Sequence, residues 1–214
     1  MIKLWGRPNA YNVQKVMWAL DELKIEYEQI DIGSHSGDLE TTSFRQLNPH
    51  STIPVIADGE DTIWQSNTII RYLFAEYGSN AYTPTTPIQQ SYVERWMDWE
   101  LATLQPDVIG LFWCFYRTPE VDRDATKIEF HREHCTNHFR QLDRQLETQL
   151  YLAGDNFSMA DICCATSLYR YFEMGIGVDK PKNLMRWYDS VTNRPAYRKN
   201  IMVSFTELKG RLEF

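Results

Sequence analysis

The chain has 214 residues, of which 43% are hydrophobic and 14% aromatic, and its formal net charge is −7. This length and composition exclude a disordered chain and allow a substantial core. Because the lysine and arginine residues are scattered, the charge argues against a nucleic acid as the main partner. No apolar run approaches the ~20 residues of a membrane-spanning helix, and the N-terminal segment lacks the apolar core of a signal peptide. We therefore expect a cytoplasmic protein without a membrane partner.

Strand and helix patterns alternate over residues 1–79. The predicted elements are a strand at 2–5, a helix at 12–23, a strand at 26–32, a short helix at 41–47, strands at 54–57 and 62–64, and a helix at 66–77. The βαβ crossover implies one parallel pair, and the turn signal Asp58-Gly59 adds an antiparallel hairpin. We predict an α+β domain of order βαβ-α-ββα.

A stretch rich in Gly, Ser, Thr and Pro ends this pattern, and we predict a linker at 80–88. Every strong pattern after it is helical. The predicted helices cover 89–116, 123–150, 158–172, 183–192 and 195–201. Ser158 and Asp161 form a capping-box signal at the third of these helices. Residues 89–214 are therefore predicted to be an all-helical domain.

The dipeptide Ile53-Pro54 precedes a β-branched run. Proline cannot donate to a strand ladder, so it marks the start or the edge of a strand. If the bond is cis, the Ile53 N–H and C=O can point outward and pair with an extended peptide. The helix start Gln65-Ser66 follows, and helix starts bind carboxylates, although Ser66 is also an ordinary N-cap. The two features predict a small acidic peptide as ligand.

The loop before this dipeptide contains Asn48, His50 and Thr52. These polar side chains can reach a second carboxylate at the far end of a bound peptide. Ordinary loop polarity explains them equally well.

Asn9, Tyr11 and Asn12 lie at the start of the first predicted helix. A thiolate there is stabilised by the helix N-terminus. Lowering a thiol pKa of about 8.5 by two units needs about 2.7 kcal/mol. The helix dipole supplies about 0.3–1 kcal/mol and a charged hydrogen bond about 1.5–3 kcal/mol. A side-chain donor such as Asn12 or Tyr11 must therefore supply the larger part; the alternative is that Asn12 only caps the helix.

An aromatic cluster ends the predicted helix at 89–116 and is followed by an arginine. We predict that Phe112, Trp113, Tyr116 and Arg117 line an apolar electrophile pocket, since arginine also stacks on aromatic ligands. Core packing or a dimer contact is the alternative for such a cluster.

No metal site is expected. His131, His134, Cys135 and His138 follow helical spacing and form a stripe about 10 Å long. One straight helix cannot close four such ligands around a zinc ion. None of the four cysteines forms a Cys-x-x-Cys pair, so the sequence does not indicate dithiol chemistry or a zinc ribbon.

Four stretches together resemble the soluble glutathione transferases: KLWGRPNAYNVQKVMWALDEL, LNPHSTIPVIADG, WQSNTIIRYLFAEYG and GDNFSMADI. The resemblance covers essentially the whole chain. The order and spacing of the x-Pro dipeptide, the Gln-Ser-Asn helix start and the Ser-x-x-Asp box make it highly specific. The pattern is most similar to the bacterial branch related to the theta and nu classes.

This resemblance implies a thioredoxin-like domain at 1–79 that binds glutathione and a helical domain at 89–214 that supplies the electrophile site and dimer contacts. It implies a homodimer that acts in detoxification, with glutathione as co-substrate and no metal. It also implies a cis Ile53-Pro54 bond, with the Ile53 backbone pairing with the cysteinyl part of glutathione. Gln65-Ser66 would hold the γ-glutamyl carboxylate, and His50 and Thr52 would lie near the glycyl end.

Family members of this type place Ser, Tyr or Cys at the start of the first helix. The position that aligns with the catalytic serine is Ala10 here, so the resemblance does not carry a serine mechanism to this chain. Asn12 becomes the expected thiolate stabiliser, with Asn9 and Tyr11 as alternatives.

Three functions follow from the sequence. The first is a transferase that activates glutathione as a thiolate and adds it to electrophilic alkyl or aryl compounds. The second is a glutathione-dependent disulfide reductase that acts on mixed disulfides. The third is a non-catalytic glutathione-binding or protein-interaction module, which Ala10 favours and the intact Ile53-Pro54 and Gln65-Ser66 disfavour.

Overall fold

The N-terminal part of the chain forms a four-stranded sheet with three helices. The computed structural model describes residues 1–35, 37–79 and 84–213. The elements are β1 (Ile2–Trp5), α1 (Tyr11–Glu22), β2 (Tyr27–Ile30), α2 (Thr42–Leu47), β3 (Val55–Asp58), β4 (Asp61–Trp64) and α3 (Ser66–Tyr77). The strand order is β2-β1-β3-β4, with β1 and β2 parallel and both other pairs antiparallel. The predicted order of these elements, the parallel pair and the antiparallel hairpin are confirmed, and the structure adds the antiparallel pairing of β1 with β3.

The apolar faces of α1 and α3 cover this sheet. Val16 and Leu20 of α1 and Ile70 of α3 are completely buried with Leu4 and Ile56 of the strands. Their spacing along each helix is the three-to-four-residue period that the sequence shows. The packing fixes the starts of α1 and α3 at one end of the sheet, where the candidate site lies.

Helices form the rest of the chain. They are α4 (Pro87–Trp99), a π-helical segment (Glu100–Leu104), α5 (Gln105–Leu111), a second π-helical segment (Phe112–Arg117), α6 (Ala125–Gln145), α7 (Met159–Ala165), α8 (Leu168–Glu173), α9 (Lys182–Thr192) and α10 (Pro195–Asn200). Residues 80–83 of the predicted linker lie outside the described residues, and 87–88 belong to α4 rather than to a linker. The domain boundaries 1–79 and 89–214 stay a prediction.

The helix predicted at 89–116 is present, but it is not a continuous α-helix. Pro106 has no N–H to bond the carbonyl four residues earlier, and the helix widens into the first π-helical segment just before it. The second π-helical segment ends the run at Arg117. Each wide turn holds extra residues compared with an α-helical turn, so the side chains after it are rotated around the helix axis.

The predicted helix at 158–172 is divided into α7 and α8. The Thr166 hydroxyl donates to the Ile162 carbonyl at 2.7 Å, and the Ser167 hydroxyl donates to the Cys164 carbonyl at 2.9 Å. Hydroxyls that bond back to the previous turn compete with the helical ladder. The division places Ser167 and α8 beside the start of α1.

The capping box predicted at Ser158 is confirmed and extends beyond the helix start. The buried Asp161 carboxylate accepts from the Ser158 N–H at 2.8 Å, the Leu152 N–H at 3.0 Å and the Trp187 indole N–H at 2.9 Å. A buried carboxylate is stable only when such donors surround it. Asp161 thereby joins α7 to α9 and to the loop that precedes α7.

A buried ion pair joins the two parts of the chain. Lys15 of α1 lies 2.9 Å from the Glu100 carboxylate, and both side chains are completely buried. Asn67 of α3 donates to the Met97 carbonyl at 2.8 Å, and Tyr11 donates to Glu100 at 3.1 Å. These bonds hold α1 and α3 against the helical part. No helix among the described residues has the length and apolarity needed to cross a bilayer.

Candidate functional site

A cavity of about 200 Å³ lies where the start of α1 faces the helical part of the chain. The wall from the sheet side consists of Arg7, Asn9, Ala10, Tyr11, Asn12 and Ile53. The opposite wall consists of Val108, Ile109, Phe112, Trp113, Arg117, Ser167, Arg170 and Leu208. The cavity therefore joins the first-helix residues predicted from the sequence to three of the four residues predicted for an electrophile pocket.

The start of α1 has no side-chain cap. Ala10 is the N-cap residue, with extended backbone angles (φ −79°, ψ 131°), and no side chain accepts a hydrogen bond there. Asn12 lies inside the helix, so the alternative that Asn12 caps it is wrong. The first-turn N–H groups and the positive end of the helix dipole are left to face the cavity wall.

Ser66 fixes the orientation of the Asn12 side chain. The Ser66 hydroxyl is 3.3 Å from Asn12 Oδ1 and donates to it. With its oxygen bound to α3, Asn12 keeps its NH₂ group for another acceptor, and no acceptor for that group is recorded among residues 1–35, 37–79 and 84–213. The arrangement presents a neutral donor beside the uncapped start of α1.

Tyr11 and Asn9 have other partners. The Tyr11 hydroxyl donates to the buried Glu100 carboxylate at 3.1 Å, and burial, with Glu100 adding to it, holds the pKa of Tyr11 well above its ordinary value. Asn9 Nδ2 donates to Glu207 at 3.3 Å. Since both donors are occupied, Asn12 has the best-placed donor of the three.

Ile53 lies at the junction of two cavities. The Ile53-Pro54 bond is cis, and within the described chain neither the N–H nor the C=O of Ile53 forms a recorded hydrogen bond. A second, more open cavity of about 690 Å³ shares Arg7 and Ile53 with the first and is also lined by Ser51 and Thr52. An extended peptide that pairs with the Ile53 backbone can therefore occupy both cavities.

The loop before Ile53 is ordered by buried Asn48. Its Nδ2 donates to the Thr52 carbonyl at 2.8 Å, and its Oδ1 accepts from the His50 N–H at 3.0 Å. Thr52 thus faces the second cavity. The exposed His50 ring instead packs edge-on against Trp64, with 5.0 Å between ring centroids, and does not line either cavity.

The start of α3 is also uncapped. The helix begins at Ser66 with Gln65 as N-cap residue and no side-chain cap bond, so the prediction of Ser66 as the N-cap is wrong by one residue. Gln65 is exposed and has a positive φ of 72°, a conformation that costs a non-glycine residue of order 1–3 kcal/mol. The first-turn N–H groups of α3 remain able to bind an anion.

Tyr116 does not line the cavity. It is 6% exposed, stacks on Phe112 at 5.2 Å and contacts Phe205 at 5.0 Å. The predicted pocket role of Tyr116 is therefore wrong, and the core-packing alternative describes it. The second π-helical segment turns Trp113 and Arg117 toward the cavity and Tyr116 away from it.

Arg117 lines the cavity and also holds the C-terminal segment. Its guanidinium donates to the Arg211 carbonyl and, at 2.9 Å, to the Glu213 carbonyl. It also lies 4.4 Å above the Trp113 ring. These contacts place Leu208 in the cavity wall.

Sequence reasoning missed Arg7 and Arg170. Arg7 follows β1 and lines both cavities. Arg170 comes from α8 and donates to the Asn9 carbonyl at 2.6 Å. A basic residue close before the first helix was a usable signal for Arg7. No local pattern marks Arg170, because its position depends on how α8 packs against α1.

The histidine stripe converges on one carboxylate. His131 Nδ1, His134 Nδ1 and His138 Nε2 lie 2.9, 3.3 and 2.8 Å from the Asp107 carboxylate. Cys135 is buried in the core. Hydrogen bonds from the histidines lower the pKa of Asp107 against the effect of its burial. The cluster joins α5 to α6, and no group of residues spaced to hold a metal ion occurs within the described ranges.

Comparison with known proteins gives consistent matches over the chain. The model of the glutathione S-transferase N-terminal domain matches residues 1–75, and that of the C-terminal domain matches residues 104–195. The chain is 38% identical to the glutathione S-transferase GstB of Escherichia coli K12, over 95% of this chain and 99% of that protein. It is 27% identical to glutathione S-transferase 3 of Zea mays, over 94% and 93%.

Solved structures agree with the sequence matches. The crystal structure of a theta class glutathione S-transferase from Xanthomonas axonopodis pv. citri, with glutathione bound, superposes with a TM-score of 0.90. It is 36% identical and covers 96% of this chain and 99% of that one. The predicted fold class, a thioredoxin-like domain followed by an all-helical domain, is confirmed.

Proposed function

The chain belongs to the glutathione S-transferase family, and on that premise we propose that it binds glutathione across the two adjoining cavities and activates it as a thiolate for attack on electrophilic small molecules. The observation that carries this proposal is the uncapped start of α1, where Ala10 supplies no hydroxyl and the oriented Asn12 amide lies beside it. That is where a sulfur anion gains both helix-dipole and hydrogen-bond stabilisation.

Glutathione would bind as an extended peptide. The unpaired backbone groups of Ile53 pair with its cysteinyl residue, which directs the sulfur toward the first cavity. The γ-glutamyl carboxylate binds the N–H groups at the start of α3, where Gln65 adds a donor and an acceptor. The glycyl end lies in the second cavity beside Thr52. His50 contributes only if its ring leaves Trp64.

Asn12 supplies the larger part of the thiolate stabilisation. A hydrogen bond from a side chain to a charged group contributes about 1.5–3 kcal/mol, against about 0.3–1 kcal/mol from the helix dipole. Together they cover the roughly 2.7 kcal/mol that lowers a thiol pKa by two units. Deprotonated glutathione then attacks an electrophile held against the apolar wall formed by Val108, Ile109 and Trp113, and proximity supplies the remaining acceleration.

Calorimetric titration with glutathione and an aryl halide conjugation assay test the proposal together. We expect saturable binding, and turnover that follows the bound fraction. Gln65→Ala should weaken glutathione binding by about tenfold, since it removes hydrogen bonds to a charged group. Absence of binding at millimolar glutathione would refute the proposal. A mixed disulfide assayed in parallel measures reductase activity, which no feature of the described cavities specifically favours.

We also propose that the protein is a cytoplasmic homodimer that detoxifies electrophiles. Ile88 and Tyr92 lie one turn apart on α4 and are 59% and 42% exposed, as expected of side chains that a second copy covers. The four cysteines carry no disulfide in the described chain, which suits a reducing compartment. Light scattering should give a dimer for the wild type and a monomer for Tyr92→Glu; a monomeric wild type would refute the dimer.

A further inference from the structure

Arg170 is a buried cation in the wall of the first cavity. It lies on α8, is 8% exposed and lines the cavity. One nitrogen, Nη2, donates to the Asn9 carbonyl at 2.6 Å and to Gln14 Oε1 at 2.9 Å. Its guanidinium lies 5.3 Å from the centre of the Phe112 ring. These neutral contacts hold the side chain in place without cancelling its charge.

The positive charge of Arg170 is only partly compensated within the described chain, by Glu207 beyond ion-pair distance. Among the described residues no carboxylate forms an ion pair with it, and no partner is recorded for Nε or Nη1. Burial lowers the pKa of Arg170 to about 10, with Tyr11 and Glu207 acting against burial and Arg117 and Arg7 adding to it, so the group is still protonated at neutral pH. A buried cation without a counter-ion is costly, and here three arginines line one cavity of a chain whose net charge is −7.

The expected positions of glutathione leave Arg170 without an anion. Its carboxylates would lie at the start of α3 and in the second cavity, and Arg170 lines neither. Its sulfur would lie beside Asn12 on the sheet-side wall. Arg170 is on the opposite wall, together with the apolar side chains of Val108, Ile109 and Phe112.

We propose that Arg170 binds a carboxylate on the second substrate, so that the enzyme prefers electrophiles that combine an apolar body with an anionic group. This inference rests on the proposed function. The apolar body packs against Ile109 and Trp113, the carboxylate accepts hydrogen bonds from Arg170, and the reactive carbon faces the sulfur. Charge-assisted hydrogen bonds from a planar guanidinium suit a carboxylate better than a neutral amide.

The reaction for such a substrate balances without a further reagent. Glutathione first releases its thiol proton to solvent. With a chloromethyl arene carrying a carboxylate, the sulfur lone pair forms the carbon–sulfur bond while the carbon–chlorine bond breaks, and chloride leaves with that electron pair. Of the substrate atoms, Arg170 contacts only the carboxylate, and its positive charge offsets the repulsion between that carboxylate and the approaching thiolate.

Conjugation of 4-(chloromethyl)benzoate and of 4-(chloromethyl)benzamide to glutathione tests the inference, because the two electrophiles differ little except in charge. For the wild type we expect kcat/KM to be about 10- to 100-fold higher for the benzoate, the range of a hydrogen bond to a charged group. The ratio should fall close to one in Arg170→Gln and be partly kept in Arg170→Lys. Arg140→Gln is the matched control, since it removes the same charge at an exposed site paired with Asp179 and should keep the wild-type ratio.

If the wild type conjugated the benzamide but its benzoate-to-benzamide ratio of kcat/KM were one or less, the proposed function would stand and this inference would be overturned. Equal changes in Arg170→Gln and Arg140→Gln would also overturn it, since they would show a general field effect. If neither compound were conjugated, the proposed function would fail and this inference with it. Should Arg170→Gln not fold, inhibition of the wild type by 4-methylbenzoate and 4-methylbenzamide decides: the benzoate must compete better against the electrophile, and equal inhibition would refute the role of Arg170.

Discussion

The first two turns of α1 carry two polar side chains that differ in how fully their donors are bound inside the protein. Lys15 is completely buried, with Glu100 at 2.9 Å and Asn67 at 3.2 Å as partners. Asn12, one turn earlier, uses only its oxygen, which accepts from Ser66, and the helix start beside it has no cap. Both residues lie between the sheet part and the helical part of the chain, so their location does not separate a structural residue from a functional one. The difference is whether the side-chain donor already has an acceptor inside the protein.

Lys15 and Asn12 should therefore differ in what their removal changes. A group whose hydrogen bonds are all made inside the protein contributes to the free energy of unfolding. A donor left toward a cavity contributes to ligand affinity and to the reaction, and its removal should leave the fold intact.

Removing Lys15 should give the largest loss of stability. Lys15→Met leaves the Glu100 carboxylate buried without a cation, and we expect a loss of about 3–5 kcal/mol in the free energy of unfolding, measured by urea denaturation. The double variant Lys15→Met/Glu100→Met should be more stable than the single one, since no unpaired charge stays buried. If the single variant unfolded at the same urea concentration as the wild type, the Lys15–Glu100 pair would not stabilise the fold.

Removing the Asn12 amide should affect catalysis and spare stability. Asn12→Ala is expected to lower kcat/KM for conjugation at neutral pH by about 10- to 100-fold, the value of a hydrogen bond to a charged group. The urea midpoint should change little, because Asn12 is not the helix cap. Ser66→Ala keeps the Asn12 amide but frees its orientation, and should show a smaller loss of kcat at saturating glutathione, since Ser66 also belongs to the helix start that is proposed to bind the γ-glutamyl carboxylate. If Asn12→Ala lowered the free energy of unfolding by as much as it raised the activation free energy of conjugation, the catalytic role of Asn12 would be contradicted.

Tyr11→Phe should behave like a structural change although Tyr11 lines the cavity. It removes the 3.1 Å hydrogen bond to the Glu100 carboxylate, and we expect a cost of about 1.5–3 kcal/mol in the free energy of unfolding, the range of a hydrogen bond to a charged group. The pH dependence of conjugation should stay that of the wild type. A shift of its rising limb to higher pH would instead show that the Tyr11 hydroxyl acts on the sulfur.

Ala10→Ser should give the smallest effect, and it is stabilising. A serine at an N-cap position accepts from first-turn N–H groups, which is worth about 0.5–1 kcal/mol relative to alanine. Urea denaturation should show the gain. An unchanged or lower urea midpoint would mean that the N–H groups at the start of α1 cannot bond a serine hydroxyl, and would contradict an uncapped helix start.

The sequence located the parts of the site that depend on local signals. Ile53-Pro54 marks the start of a strand by its chemistry alone, and Gln65-Ser66 marks the start of α3 to within one residue. Tyr116 was assigned to the pocket as a member of an aromatic cluster, and composition alone does not show which members the second π-helical segment turns toward the cavity. Arg170 was missed because its contact with Asn9 joins residues 161 positions apart, which only the packing of α8 on α1 determines.

The central claim is that the oriented Asn12 amide, with the uncapped start of α1, stabilises the glutathione thiolate. The most direct measurement is the pKa of the bound thiol, followed by the ultraviolet absorbance of the thiolate as a function of pH in the wild type, Asn12→Ala and Tyr11→Phe. We expect a bound-thiol pKa below the value of about 8.5 of a free thiol in the wild type and Tyr11→Phe, and a pKa at least about one unit higher in Asn12→Ala. The same bound-thiol pKa in the wild type and Asn12→Ala would contradict the account.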